Sequence, residues 1–451
     1  MALSEAVLAA AHDHLPGLVM DATSPGWDAA RHFHSGTGEP DLIVRAHSVA
    51  DVVSAVRIAR EAHVPLSVRG GGHSAWGAVP GGVVVDLAAL ADIVIEDDSD
   101  VPVVRVGGGA LWGAVADTLR PHDLALSSGD TASVGVGGLT LGGGIGWMVR
   151  AWGLACDQLV GAQIVTAAGE VVEVTAQTHP DLLWALRGGG GNFGVVTRFD
   201  FQPHSVPAIA WAELGIKGDP REVIAAVRDV LAEAPRELTV TYMDVPAMDP
   251  SAPAGASISA VWAGEDVEAL RAALSPLLQR DDITEGVIER RAYRDVLMEM
   301  PAADPDAPMP GFIGGNTLLR ELDQAVIDEL VTFRASNEAS VLFLRSLGGA
   351  FGDTGARDQS AFPARDATWF VMTGAFDIPG LVSDEDRPRI QEMWDQIEAR
   401  GAGVYGNFST TTDPAFAPKM YSSQAWDRLV GIKRAWDPGN LFSRNHNIPP
   451  A

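Results

Sequence analysis

The sequence predicts an α+β protein in two unlike parts: a glycine-rich half of short strands and helices, then a half in which helices alternate with longer, antiparallel strands. Three observations carry that expectation. The first two hundred residues interleave one clear helical repeat with closely spaced β-branched runs. Near Pro203 and Pro207 the texture changes, and strand-like runs of eight to ten residues begin to alternate with helical spacing. Finally, 451 residues are too many for a single hydrophobic core.

Taken in order, residues 48–63, "SVADVVSAVRIAREAH", read as a helix, because Ser48 is a good N-cap and Val49, Val52, Val53, Val56 and Ala59 repeat at helical spacing. The strand-like runs "PLSVRG", "GVVVDL", "DIVIE" and "VVRVGG" follow, then a helix over about 110–120. "LVGAQIVTAAGEVVEVT" reads as a hairpin turning at Ala168-Gly169. These strands are too short and too close together for a regular doubly wound sheet. In the second half, helices are expected at about 220–234, 266–279, 323–336 and 384–400. They alternate with "ELTVTYMDV", "SISAVWAG", "SVLFLRSLGG" and "TWFVMTGAF". The Pro- and Asp-rich 302–310 reads as a surface loop, and the tail as a helix halted at Asp437-Pro438-Gly439.

Composition narrows the function. The formal charge is −27, and only three of the 32 basic residues are lysines. So acidic a surface repels phosphate backbones and anionic lipid, so neither nucleic acid nor a membrane surface is an expected partner. One cysteine, Cys156, rules out an internal disulfide framework and a Cys-rich metal site. No Lys or Arg precedes Arg31, and no stretch approaches 18 uninterrupted apolar residues, so a cytoplasmic protein is expected.

Four glycine clusters then demand a reason: Gly70 to Gly72, Gly107 to Gly109, "SVGVGGLTLGGGIG" at 133–146 and "RGGGGNFG" at 187–194. Several in one half suggest bare backbone pressed against a large ligand, N–H groups facing phosphate oxygens. No lysine follows a glycine, which excludes a P-loop, and "GVGGLTLGGG" has the wrong spacing for a Rossmann fingerprint. The zinc-protease pair and the Gly-x-Ser-x-Gly elbow are missing too. The remaining common dinucleotide is FAD bound outside a Rossmann fold.

Five blocks in order, "PLSVRGGGHS", "GGVVVDLAAL", "SSGDTASVGVGGLTLGGGIGWMVRAWGLACDQLVGAQIVTAAGE", "DLLWALRGGGGNFGVVTRFDF" and "WDRLVGIKRAWDPGNLFSRNHNIPP", resemble the berberine-bridge-enzyme-like branch of the vanillyl-alcohol-oxidase flavoproteins. The resemblance implies a PCMH-type FAD-binding domain of two small α/β subdomains over 1–205 (core about 38–205). It also implies a substrate domain over 206–410, an antiparallel sheet covered by helices, and a segment 411–451 that returns to the FAD-binding domain. It implies a flavin carried covalently by His73 through the 8α-methyl, as in the single-histidyl hydroxynicotine-oxidase-like members. Many relatives add a cysteine tether; here "SGDTASVG" places Thr131 at that point, so one link is expected and Cys156 is read as a packed thiol.

By the same resemblance Arg69, Gly70, Gly71, Gly72, His73, Ser74 and Gly77 form the pyrophosphate and ring cradle. Val134, Gly135, Gly138, Leu139, Gly142 and Gly146 line the adenosine and flavin, Val196 offers backbone to the adenine, and Asn445 and Asn447 reach back to the ring. The loop after His73 is about two residues shorter than usual and carries Trp76. The implied reaction moves a hydride from an alcohol or amine C–H to flavin N5, with O2 or another acceptor taking the electrons. Relatives place a base after an asparagine in Tyr-x-Asn-Tyr; "YGNF" puts Phe408 there. Tyr405, Asn407 and Tyr242 are then the catalytic candidates, and Arg345 a candidate for a substrate carboxylate. Two alternatives stand beside this: a monooxygenase of a polyketide-like substrate, and a non-catalytic flavin-binding protein. No metal is expected.

Overall fold

Ser48 begins the first long helix as its spacing predicts. Its hydroxyl accepts from Asp51 N at 3.3 Å while its own N–H donates to the Asp51 carboxylate at 2.8 Å, a closed capping box before Val49–Glu61. The structure, a computed structural model, describes residues 3–34, 36–74, 76, 80–96, 101–246, 255–300, 310–353, 355, 359–409 and 411–450. Gly77 and residues 302–309 of the expected loop lie outside the described residues.

Three sheets carry the chain. The first contains β1 (Val19–Met20), β2 (Leu42–Arg45), β3 (Leu66–Arg69) and β4 (Val83–Asp86) in the order β1-β2-β4-β3, with β4 parallel to both β2 and β3. The helix over Val49–Glu61 covers it through Val52, Ala55, Val56 and Ala59, all buried. The second sheet is antiparallel: β5 (Ile93–Glu96), β6 (Val103–Gly107), β7 (Leu159–Val165), β8 (Val171–Thr175) and β9 (Val195–Phe201), ordered β8-β7-β9-β6-β5. The β7–β8 pair is the hairpin expected from "LVGAQIVTAAGEVVEVT".

The second half is one seven-stranded antiparallel sheet: β10 (Ile209–Ile216), β11 (Leu238–Val245), β12 (Gly255–Trp262), β13 (Ile283–Arg291), β14 (Gly311–Leu319), β15 (Ser340–Ser346) and β16 (Trp369–Asp377). Their order is β13-β10-β12-β11-β15-β16-β14. Helices Pro220–Glu233, Val267–Leu278, Gln324–Ala335 and Asp386–Glu398 form at the four expected places. They pack on one face of the sheet, over Leu238, Val240, Tyr242, Leu342, Leu344 and Val371. The fold is therefore α+β, with a small mixed sheet under one helix, an antiparallel five-stranded sheet and an antiparallel seven-stranded sheet under four helices.

Buried cations tie the two halves together. Arg150 donates to the carbonyls of Leu238 at 2.6 Å, Leu347 at 2.5 Å and Ala234 at 3.1 Å. Arg345 spans to Asp130, and Arg365 pairs with Asp157 at 2.6 Å. The tail is locked in the same way. Lys433, fully buried on helix Ser423–Trp436, donates to Asp437 at 2.7 Å and to the carbonyls of Asn192 and Phe442 at 2.8 and 3.0 Å. Burial depresses the Lys433 pKa while the Asp437 carboxylate opposes that shift. Asp437 in turn accepts from the amides of Leu441 and Phe442, which aims residues 443–447 back at the first half.

Candidate active site

The Gly70–Gly72 turn leaves β3 and meets the second glycine block main chain to main chain. A Cβ on Gly71 would stand 2.3 Å from Gly135 N, and one on Gly135 would stand 2.3 Å from Gly71 N. Gly72, at φ +74°, then turns the chain so that His73 faces Ser133, with Nε2 3.1 Å from its hydroxyl. Across the other side, Gly138 is exposed and an added Cβ there would find nothing within 4 Å. The two positions predict opposite outcomes. Gly71→Ala is expected to lose about 1–3 kcal/mol in a thermal or urea melt, since two backbones must separate. Gly138→Ala is expected to melt with the parent protein.

His73 stacks on His34, ring centroids 4.4 Å apart and 20° from parallel, and the His34 amide donates to the Gly72 carbonyl at 2.8 Å. Burial, and then the neighbouring His34 ring, push the His73 pKa below the usual imidazole range. The imidazole is therefore neutral at neutral pH, with a lone pair available as a nucleophile. Neither His34 nor Ser133 stands out in the sequence; Ser133 lies inside a glycine block, and His34 is forty residues from the turn it supports.

Four other segments close around this turn. The Trp76 ring meets His446 edge-on at 5.7 Å, and His446 Nε2 lies 3.0 Å from the Gly406 carbonyl oxygen. Asn407 Nδ2 donates to the Leu139 carbonyl at 3.1 Å, with its carboxamide over Gly142. Asn445 Nδ2 donates to the Gly191 carbonyl at 3.0 Å. Residues 73, 74 and 76, with 133–142, 190–191, 405–408 and 445–447, are thus brought into one place. Around it, Trp76 Nε1, Asn445 Oδ1, His446 Nδ1 and Asn447 Oδ1 are buried without a hydrogen-bond partner among the described residues. Such groups call for a ligand that supplies both donors and acceptors. An isoalloxazine ring offers an N–H donor beside carbonyl and ring-nitrogen acceptors, and an open glycine surface suits a pyrophosphate, so these residues fit FAD. His446 is the functional candidate that motif reading passed over, although it stands between the two asparagines it did single out.

Other expected residues are occupied differently. The Arg69 guanidinium is paired with Asp86 and bonded to the Ala30 carbonyl, so it holds the end of β3 and does not face the cradle. Gly70 packs on the Gly108 carbonyl, Gly146 on the Ser128 backbone, and Val196 is buried with its carbonyl against Gly108. Ser74 Oγ accepts from Trp76 N at 3.2 Å, and the Val134 carbonyl accepts from Trp112 N at 3.0 Å.

Among the catalytic candidates, Tyr405 is buried, and its hydroxyl accepts from Gly144 N at 3.0 Å and from Asn407 Nδ2 at 2.9 Å. Burial pushes its pKa up to about 12, opposite to what a base requires. Tyr242 is excluded by its side of the sheet. It is 1% exposed, lies under the helices with Val240 and Leu238, and its hydroxyl has no partner. Tyr242→Phe is therefore expected to leave turnover unchanged and stability unchanged or slightly higher, as a steady-state assay and a melt would show. Arg345 is largely engaged within the protein: Nη1 reaches both Asp130 oxygens at 2.7 Å and Nε donates to Thr241 at 2.9 Å, while Nη2 is buried without a hydrogen-bond partner among the described residues. Among the described residues no group of three or more His, Cys, Asp or Glu is placed to hold a metal ion, and no helix is long and apolar enough to cross a membrane.

Known proteins match this geometry. A family model described as an FAD binding domain matches residues 40–175, and one described as berberine and berberine like matches residues 404–449. The (R)-6-hydroxynicotine oxidase of Paenarthrobacter nicotinovorans is 29% identical over 95% of this chain and 94% of its own. The solved 6-hydroxy-D-nicotine oxidase of Arthrobacter nicotinovorans superposes with a TM-score of 0.80 at 25% identity, covering 97% of this chain and 98% of that one. A glucooligosaccharide oxidase of Acremonium strictum shares the fold with a TM-score of 0.85 at 24% identity, over 99% and 98% of the two chains. The two family models fall on four of the five segments that converge around His73, and the chain is an FAD-dependent oxidoreductase similar to the berberine-bridge-enzyme-like proteins.

Proposed function

We propose that the protein binds FAD along the Gly70–Gly72 and Gly135–Gly142 turns, carries it covalently on His73, and oxidises an alcohol or amine with O2 as the electron acceptor. Residues 1–205 and 411–451 would hold the cofactor, and 206–410 the substrate. The observation that carries the reading is the convergence of five distant segments around the exposed Gly138 and a set of buried, unpartnered polar atoms. A solved chain of the same fold, the glucooligosaccharide oxidase, is described as revealing a novel flavinylation, which supports a covalent link here.

Bound flavin supplies a two-electron acceptor at N5. The chain's own part begins with His73, neutral and oriented by Ser133 and His34, which would hold the ring through one imidazole nitrogen, the two hydrogens lost on attachment passing to O2, the acceptor proposed above. Asn445, Asn447 and Trp76 supply polar partners to the ring, and Asn407 fixes the 139–142 backbone beside it. Phe408 cannot take a proton, Tyr405 is held protonated, and Tyr242 is on the far face. This favours an amine that reacts as its neutral free base over an alcohol that must be deprotonated.

Anaerobic mixing of the yellow protein with panels of amines, alcohols and sugars tests the proposal. Loss of the visible flavin band with a subset, and its rapid return on admitting O2, is expected. A flavin that resists every donor would leave only a binding role.

A further inference from the structure

The strand register places a row of side chains on the sheet face opposite the helices. Across β12, β11, β15, β16 and β14 the paired residues are Ser257, Met243, Phe343, Met372 and Asn316. Their sequence neighbours Tyr242, Leu342, Leu344 and Val371 lie under the helices, so this row faces the other way. Met243, Phe343 and Met372 are only half-buried, and Phe408 beside them is 42% exposed. Their rings are continuous: Phe343 meets Phe370 at 5.9 Å and Phe370 meets Phe408 at 5.1 Å, both edge-to-face.

Two polar side chains on this face, Asn316 and Arg345, are largely engaged, while Thr239 Oγ1 and Arg345 Nη2 are buried without a hydrogen-bond partner among the described residues. Asn316 donates to the carbonyls of Tyr405 and Phe408 at 3.1 and 3.2 Å and accepts from Tyr405 N at 2.7 Å. The Arg345 charge is closed on Asp130, with its guanidinium over the rings of Trp147 and Phe343 at 4.3 and 5.2 Å. A sugar laid here would bury hydroxyls against thioethers and phenyl edges with few partners, whereas an aromatic ring would find edge-to-face neighbours. Methionine is unbranched and polarizable, so the wall adapts to rings of different outline.

Resting on the reading of a flavin site beside Phe408, we propose that Met243, Phe343, Met372 and Phe408 form a substrate wall that selects an uncharged aromatic ring system over an oligosaccharide. This sets the protein apart from the oligosaccharide oxidases that share its fold.

Equilibrium dialysis of the full-length yellow protein against 2-naphthol and against xylobiose tests it without turnover. Naphthol is expected to bind at least tenfold more tightly, and Met372→Gln, close to isosteric, to weaken naphthol at least fivefold with an unchanged melting midpoint. Phe408→Ser, on an exposed ring, is expected to do the same. Tighter binding of xylobiose, or naphthol binding untouched by both substitutions, overturns the wall while leaving the flavin site intact. A colourless preparation instead overturns the flavin site on which the proposal rests.

Discussion

His73→Ala is expected to give a protein that loses its entire chromophore to the supernatant on acid precipitation and shows no fluorescent band on a denaturing gel. Cys156→Ser is expected to keep both. The asymmetry comes from the surroundings of the two side chains. His73 stands on the open side of a glycine turn, held neutral by burial and by the stacked His34 ring. Cys156 is fully buried, and burial, with Asp157 next to it, pushes the thiol pKa well above its usual value. A thiol that stays protonated and sealed from solvent is a poor nucleophile. At the position where many relatives carry a second tether stands Thr131, buried and bridged through its backbone to Met298. One attachment point remains, and its removal should leave FAD bound only by reversible contacts.

Asp130→Ala is expected to be the most destabilising single substitution at the junction of the two halves. Arg345 is 1% exposed, and Asp130, 215 residues earlier in the chain, is its bidentate partner. Removing the carboxylate leaves a guanidinium inside the protein with only Thr241 and two aromatic faces around it. Breaking a buried pair from one side costs about 3–5 kcal/mol, and in a chain of this size that lowers the melting midpoint by roughly 3–5 °C. The double substitution Asp130→Ala with Arg345→Met removes both charges and is expected to recover most of the loss. If the single and double variants melted alike, the penalty would come from packing and not from the stranded charge.

The elements were legible wherever local chemistry decides them. The Ser48 cap, the hairpin at Gly169 and the stop at Asp437-Pro438-Gly439 each depend on residues within a few positions of one another, and each forms as read. The glycine turn before His73 was legible for the same reason. Tyr242 carried a readable warning: Leu238, Val240 and Tyr242 alternate with Thr239 and Thr241, so the tyrosine shares its face with core residues. The Arg345–Asp130 pair, the His34 stack and the inward turn of Arg69 toward Asp86 could not be read, because each is made by segments that tertiary packing alone brings together. His446 shows the opposite limit: its position between Asn445 and Asn447 was visible, but its unpartnered Nδ1 was not.

Proteolysis of the purified protein with trypsin gives the most direct test of the central claim. The cleavage sites Arg69 and Arg105 bracket a peptide of residues 70–105 that contains His73 as its single histidine. The account predicts that this peptide is yellow and heavier than its sequence by one FAD less two hydrogens, with the fragment carrying the added mass mapping to His73. An unmodified 70–105 peptide from a coloured preparation, or the added mass on any other peptide, would contradict it.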